Sequence, residues 1–361
     1  MNYLGLDVHS ANCVWCLLDE HGQGVATGKT PTTFAGLRGL GTTLQRKGEL
    51  VAGQEVGTQV YLVQDAFTEA GVRIQAFNPA HLRMIAASRK KTDKRDAYWI
   101  AKSLQTGMTP HPVYIPVGEI RELRRLLTRR RVIQRDRNRW QYRARAALRT
   151  HGHRTRSGGS YLRKMVDHML EHPDGVDTEL QQSLGLCERL MTMLEEELRH
   201  VDAMLASRTR GNDVIERLQT IPGIGPVASQ VLYATIGEIE RFPNARKLAS
   251  YAGLVPTVRQ SGNSDRHGGI TKEGSKYLRS VLVQGAHVVA SRSSSDELAP
   301  LRAVYERCRG TRGRRKIAIV ALARHMLRIA FHVWRDATVY DSSRVRSIAD
   351  NVHYVNEPQS P

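Results

Sequence analysis

Asn2-Tyr-Leu-Gly-Leu-Asp-Val8 and Asn12-Cys-Val-Trp-Cys-Leu-Leu-Asp19 read as two short strands, the first buried and ending beside an acid. His21-Gly-Gln-Gly24 is turn chemistry, so a third strand at about 25–29 completes an antiparallel meander. The pattern then changes period. A helix at 32–47 carries Thr33 as its cap and Leu37, Leu40 and Leu44 as its stripe. A strand at 50–55, a helix at 58–70, a strand at 72–77 and helices at 79–88 and 93–106 follow.

Three strands followed by alternating helix and strand is the order of a ribonuclease-H-like fold, so the N-terminal part is α/β. The acids fall at telling places in it. Asp7 ends the central strand, Glu55 closes the fourth strand, and Asp93 and Asp96 stand three apart at a helix start, with Thr92 or Asp93 as N-cap. Ala97, Ile100, Ala101 and Leu104 form the apolar stripe behind them. Taken alone, the Asp93/Asp96 pair is also what an ordinary solvated helix start looks like, because acids suit that end of the dipole. An acid between Leu6 and Val8 is harder to explain, since burying it without a partner is costly. Four carboxylates in one crevice repel unless cations hold them, which is what two divalent ions about 3.5–4 Å apart require for phosphoryl chemistry. An all-oxygen set with no His or Cys favours Mg²⁺, or Mn²⁺, over Zn²⁺.

The chain has 361 residues and a formal net charge of +19, a basic field whose commonest partner is nucleic acid. The first residues are too polar for a secretion signal and no uninterrupted apolar run approaches a membrane span, so the expectation is a soluble intracellular protein. Cys13 and Cys16 sit three apart on a strand and face opposite sides, which argues against a metal or redox pair.

From 119 to 150, Arg124, Arg125, Arg129, Arg130, Arg131, Arg135 and Arg139 belong to a run of arginines, beginning at Arg121, in which Glu122 and Asp136 are the only acids. With Leu123, Leu126, Leu127, Ile133, Trp140, Ala144 and Leu148 as a stripe, this reads as one long helix, apolar on one side and Arg-covered elsewhere. Such a face suits phosphate and folded or single-stranded RNA. His151 to Gly159 is a flexible break whose spacing fits no nucleotide-binding glycine loop. A helix at 160–171 and the turn 172–175 lead to a second long helix at 177–207. Its stripe, Leu180, Leu184, Cys187, Leu190, Leu194, Leu198, Val201 and Leu205, is a coiled-coil seam, internal or between subunits, with Glu195–Glu197 outside. The two long helices are expected to form a protruding hairpin.

Leu218 to Leu232, with Ile221-Pro-Gly-Ile-Gly225 at its centre, reads first as a helix-hairpin-helix in which Gly223 and Gly225 expose backbone N–H groups to a phosphate, with an ordinary corner between helices as the lesser alternative. A helix at 242–253 precedes a polar, Gly-rich loop. Around that loop stand Arg259, Arg266, His267, Lys272, Lys276 and Arg279, cations that would hold a phosphodiester for a serine nucleophile. The residues alone leave Ser261, Ser264 and Ser275 as equal candidates. Helices at 275–292, 297–308 and 314–335, a basic cluster at Arg312–Lys316 and a loose tail from Thr338 finish the chain.

Gly5-Leu-Asp7, Gln54-Glu-Val-Gly-Thr58, Lys91-Thr-Asp-Lys-Arg-Asp-Ala97, Ile221-Pro-Gly-Ile-Gly225 and Tyr251-Ala-Gly-Leu-Val-Pro256 leading to Ser261-Gly262 together resemble the DEDD transposases of insertion sequences. These are the bridge-RNA-guided recombinases that also include the pilin-gene invertases. The second piece departs slightly, since the family usually has Glu-Ala-Thr-Gly where this chain has Glu55-Val-Gly-Thr58. The resemblance implies a RuvC-like DEDD domain (1–113), an Arg-rich coiled-coil segment (114–210), a mostly helical transposase domain (211–335) and a tail (336–361). It implies Asp7, Glu55, Asp93 and Asp96 as Mg²⁺ ligands and raises Ser261 over its rivals as the nucleophile of a 5′-phosphoserine intermediate. It also implies a structured guide (bridge) RNA, donor and target DNA, and a dimer-to-tetramer with composite sites. A RuvC-like Holliday-junction resolvase acting by hydrolysis, a site-specific DNA invertase and a non-catalytic architectural binder are the other readings.

Overall fold

The computed structural model describes residues 1–85, 92–156, 159–172, 176–261, 264–292, 295–311 and 313–345. The expected end of the helix at 79–88, Lys91, the centre of the 172–175 turn, Gly262, Arg312 and most of the expected tail lie outside the described residues. The chain divides into two units, residues 1–116 and 117–361.

In the first unit β1 (Asn2–Val8) is the middle of a five-stranded sheet. β2 (Asn12–Leu18) and β3 (Gly24–Pro31) pair on one side of it in antiparallel fashion, as the meander predicted. β4 (Leu50–Glu55) and β5 (Arg73–Phe77) lie parallel on the other side, giving the order β3-β2-β1-β4-β5. The period-2 alternation of β1 decides what each face holds. Leu4 and Leu6 point into a core shared with α1 (Phe34–Gln45) and α2 (Val60–Glu69). Thr33 caps α1, its hydroxyl accepting from the Gly36 N–H at 3.1 Å. Cys13 packs in that core and Cys16 in the opposite one, and burial pushes the Cys13 thiol up to about 12. The pair thus faces opposite sides, as its spacing requires.

On the other face, Tyr3, Gly5 and Asp7 meet α4 (Asp93–Thr106), which buries Ala97, Ile100, Ala101 and Leu104 as the stripe predicted. The short α3 (Pro79–Ile85) precedes it. A Cβ on Gly5 would fall 1.9 Å from the Ala97 carbonyl oxygen, and one on Gly53 2.9 Å from Leu104. The bare backbone at these two places lets the helix lie directly on the strands. After α4 the chain runs back along the sheet edge, the Val113 N–H donating to the Ala76 carbonyl, and the unit closes at Pro116.

The second unit opens with α5 (Gly118–Thr150), followed by α6 (Gly159–Glu171) and α7 (Thr178–Thr209). α5 and α7 pack along one another as the expected hairpin. Its seam is internal: Ala144, Leu148, Leu162, Val166, Leu180, Leu184 and Cys187 share one core, and Leu123, Leu127, Val201 and Leu205 join the main core of the unit. Between those ends Met191 and Leu198 are buried and ion pairs join the helices. Glu195, expected outside, turns to Arg137 (2.8 Å) and to Arg163, which also meets Glu188.

α8 (Asp213–Gln219) and α9 (Pro226–Ile236) flank the Pro-Gly turn, and α10 (Ala245–Tyr251) is shorter than the expected 242–253 helix because a 3₁₀ turn, Ile239–Arg241, and an Asn244 cap precede it. α11 (Lys276–Ser291), α12 (Ala299–Arg309) and α13 (Arg315–Arg335) complete the core. α13 is long and apolar enough to cross a membrane, but 61% of that window is buried inside the unit. The segment expected to be a polar loop is a β-hairpin of β6 (Pro256–Ser261) and β7 (Ser264–Ile270). Nor does the tail begin at Thr338: Val345 is buried in the main core, and Tyr340 donates its N–H to Thr220 and its hydroxyl to the Glu297 carbonyl.

Because the Gly5 contact is with helix backbone, no side-chain rotation relieves it. Gly5→Ala should destabilise the first unit by about 1–3 kcal/mol, the usual range for overpacking. Urea unfolding followed by circular dichroism would show this as a lower midpoint for the transition of that unit.

Candidate metal centre and nucleic-acid interface

Asp7 stands at the C-terminal end of β1, where ligand sites of parallel sheets gather. The Gly5 contact brings the start of α4 beside it. Thr92 has extended backbone and is the N-cap, and Asp93 and Asp96 occupy the first turn, where the helix dipole favours anions. One register step beyond the Leu6–Gln54 pair sets Glu55 next to Asp7 along the sheet, and the alternation of β4 puts Glu55 on the α4 side, exposed at the strand end. Burial pushes the Asp7 carboxyl above its usual range. His9 pulls it back down, while the charges of Asp93 and Asp96 push it up further.

His9 is the member of this group that sequence reasoning left out. Its Nε2 lies 3.1 Å from Asp7 Oδ2 and 3.5 Å from Asp93 Oδ2. Carboxylates only accept, so a proton on that nitrogen would be shared between the two acids, and a cation there would need the nitrogen without it. The signal for it was the spacing: a residue two beyond Asp7 on an extended chain points to the same side. The expected all-oxygen set thus has an imidazole at its edge. Asp7, His9 and Asp93 present ligand atoms all within 4.8 Å of one another. Carboxylate oxygens of mutually repelling acids fit a hard divalent cation, and an added imidazole is compatible with Mn²⁺ as well as Mg²⁺.

The second unit carries the predicted basic residues, and many already have work inside it. Arg124 donates from Nη2 to the Thr235 carbonyl at 2.9 Å and from Nε to that of Ala234, covering the last turn of α9. Arg130 grips Asp202 with both Nε and Nη2, the latter at 3.1 Å. Arg129 meets Glu197 (2.9 Å), Arg125 meets Glu122 and Arg139 meets Asp136. Arg131 lies over the Tyr277 ring, 4.8 Å from its centre, and Arg135 is exposed. Long helices that pair with one another absorb much of the positive charge they advertise.

At the Pro-Gly turn, Gly223 has a φ of 85° and its carbonyl packs on Gly285 of α11, so that a Cβ on Gly285 would sit 2.5 Å from it. Gly225 is exposed and begins α9 without a side-chain cap, leaving N–H groups there open to a ligand. Arg279 braces the base of the β-hairpin, donating to the carbonyls of Ala252, Glu273 and Gly274. Lys272 and Lys276 are exposed. Ser261 and Ser264 face each other in register at the hairpin tip, as do Arg259 and Arg266 along its ladder. Ser275 is otherwise engaged, its hydroxyl accepting from the Leu278 N–H to cap α11. The missed sign of the hairpin was the Gly262-Asn263 dipeptide in the sequence, a pair that favours a tight turn between strands. Also missed is a cationic group on α13. Burial and the charges of Arg328 and Arg246 draw the Arg324 guanidinium below its usual range, and burial with Arg328 and Arg307 brings His325 down to about 4. Among the described residues no carboxylate pairs with Arg324, Arg328 or Arg246.

Comparison with known proteins bears on both units. Residues 4–152 match the IS110 DEDD transposase family, and residues 215–301 match the transposase family IS116/IS110/IS902. A probable family 20 transposase of Pseudomonas aeruginosa is 26% identical over 247 residues, 66% of this chain and 71% of that one. The transposase for insertion sequence element IS1111A of Coxiella burnetii is 25% identical over 287 residues, 79% of this chain and 77% of that one. A putative transposase of Sinorhizobium fredii is 28% identical over 284 residues, 70% and 71% of the two chains. The chain thus carries DEDD transposase domains of the IS110/IS116 type. It is an insertion-sequence transposase of the IS110 family, and so a DNA-binding, DNA-cleaving enzyme.

The electrostatics of Asp7 make a signed prediction. A carboxyl whose pKa is raised in the folded state contributes stability below its unfolded value of 3.8, and that contribution is lost as pH rises through the higher folded pKa. At neutral pH the ionised Asp7 therefore costs stability. Without divalent ions, Asp7→Asn should melt a few degrees above the parent at pH 7. Mg²⁺ at a hundred times its Kd should stabilise the parent by about 2.7 kcal/mol and leave the variant unmoved. Equal Mg²⁺ stabilisation of both proteins would remove Asp7 from the metal centre.

Proposed function

We propose that this transposase cuts and rejoins DNA through a serine-linked intermediate, with Asp7, Glu55, Asp93 and Asp96 as a metal-holding set in a ribonuclease-H-like (RuvC-like) domain and Ser261 as the nucleophile. The observation that carries the reading is the crowding of Asp93 and Asp96 on a part-buried Asp7, an arrangement that asks for a cation. A bound Mg²⁺ or Mn²⁺ supplies charge neutralisation and polarisation of the phosphate.

The chain's own residues do the rest. The Ser261 oxygen bonds to the phosphorus and the bond from phosphorus to the 3′ oxygen breaks. The serine proton ends on that oxygen, leaving a 5′-phosphoserine and a free 3′-hydroxyl. Attack by a 3′-hydroxyl on the phosphoserine reverses the chemistry and joins the exchanged strand. The backbone at the tip of a two-stranded hairpin suits a nucleophile that must reach a phosphate, and Lys272 and Lys276 are exposed near the hairpin base to hold it. With no cation bound, a proton on His9 would keep Asp7 and Asp93 together.

A structured guide RNA pairing with donor and target DNA would explain why the basic helices offer backbone contacts and no evident base-reading element. The active assembly is a dimer to tetramer in which the acids of one subunit serve the serine of another, working in the cytoplasm on the nucleoid. The test is an SDS-resistant protein–DNA adduct formed with matching DNA, co-purified RNA and Mg²⁺, then mapped by peptide mass. Ser261→Ala and Asp93→Ala should each reduce adduct and strand exchange by at least about 10³-fold, as loss of a nucleophile or a metal ligand does. Cleavage that survives Ser261→Ala and leaves free ends would mean hydrolysis, as in a Holliday-junction resolvase, and the serine mechanism would be wrong.

A further inference from the structure

The end of the helical hairpin holds a cavity outside the metal centre and outside the Arg124–Arg139 face. It encloses about 670 Å³ and is lined by Arg149, His153, Arg154, Thr155, Arg156 and Tyr161. That volume is within the range of sites that take a small ligand. Residues 151–156, the described part of the stretch expected to be a flexible break, carry backbone and side-chain hydrogen bonds beside it. The N–H groups of Gly152 and His153 donate to the Arg149 and Leu148 carbonyls at 3.0 and 2.9 Å, and Gly152 turns the chain with a φ of 78°. Arg149 is fixed against one wall by its Nε donating to the Thr155 hydroxyl at 3.0 Å. Arg156 lies over the Tyr161 ring, 5.9 Å from its centre, and Tyr161 is 40% exposed, so its side chain is only partly covered.

Among the described residues the lining contains three guanidiniums and no carboxylate. The nearby acid Asp177 is occupied elsewhere, accepting from the Glu179 and Leu180 N–H groups and lying 3.6 Å from His151 Nε2. This contrasts with the middle of the same hairpin, where arginines are matched by glutamates and aspartates. Uncompensated guanidiniums around a water-sized-to-nucleotide-sized space call for an anion of similar reach, and a partly covered aromatic side chain beside them calls for a flat ring.

We propose that this cavity binds one unpaired nucleotide, its phosphate among Arg149, Arg154 and Arg156 and its base stacked on Tyr161. The inference rests on the nucleic-acid-handling role of the chain. A base inside a duplex cannot reach an aromatic face, so the site selects single strands. The same chemistry is offered by a splayed base of a folded RNA and by a DNA strand freed during exchange, and the experiment separates the two.

Binding of the full-length protein to labelled oligouridylate, oligothymidylate and a blunt DNA duplex would be measured by fluorescence anisotropy across a salt series. Tyr161→Ala should weaken single-strand binding by about 5- to 150-fold, the range that stacking of one base commands, and leave duplex binding unchanged. Tyr161→Phe should bind as the parent does. Arg154→Ala, an exposed position whose loss threatens no core, should lower the single-strand salt slope by about one. A loss confined to oligouridylate assigns the site to RNA, one confined to oligothymidylate assigns it to DNA, and a loss on both assigns it to either strand. If Tyr161→Ala and Arg154→Ala both bind single strands as the parent does, or lose duplex binding equally, the cavity is not a nucleotide site. A parent that binds none of the probes would overturn the nucleic-acid reading itself, and this inference with it.

Discussion

The first unit depends on how closely α4 can approach β1. At Gly5 and Gly53 helix backbone and apolar side chains occupy the space that a Cβ would take, so the helix lies against the strands rather than on a layer of side chains. Its axis then carries its own N-terminus to the end of β1, and Asp93 and Asp96 arrive beside Asp7 with no loop needed to deliver them. Two carboxylates on one rigid turn and a third on a central strand are held by the most constrained parts of the unit, as a site that must resist its own repulsion requires. The geometry also explains why a histidine belongs there: with no cation bound, a shared proton would partly relieve the repulsion.

The second unit manages charge in a different way. A helix with so many arginines looks like a single binding face, yet Arg129, Arg130 and Arg137 close ion pairs with α7, and Arg124 covers carbonyls of α9. What is left for phosphate is concentrated rather than spread. Arg135 is exposed on the flank, the Arg324 and Arg328 pair lies on α13, and the group around Arg149, Arg154 and Arg156 is at the hairpin end. Charge counted along a chain overstates binding surface wherever partners approach from another helix.

Much of this was legible in the residues. The succession of strands and helices along the first unit, the cap at Thr33, the stripe of α4 and the length of both hairpin helices follow from local periodicity and caps, which act within a few residues. What was misread depended on contacts between distant segments. Glu195 looked solvent-facing because nothing nearby in sequence says that Arg137 and Arg163 approach it. The Ser261 segment looked like a loop because a polar two-stranded hairpin has no apolar alternation, leaving only Gly262-Asn263 as a sign. Residues after Thr338 looked loose because Val345 and Tyr340 earn their places from α8 and the α11–α12 connection, far upstream. His9 was passed over because the acids already gave a sufficient account of the crevice.

One contact has a mechanical meaning. Arg124, near the base of α5, is fastened to the carbonyls that end α9, and α9 begins at the turn where Gly223 is pressed onto Gly285. From Arg124 to Thr150 the helix extends about 40 Å at its usual rise. The hairpin is therefore an arm rooted on the end of α9: a tilt of about 5° at that root would displace the cavity at its far end by about 3.5 Å over this length.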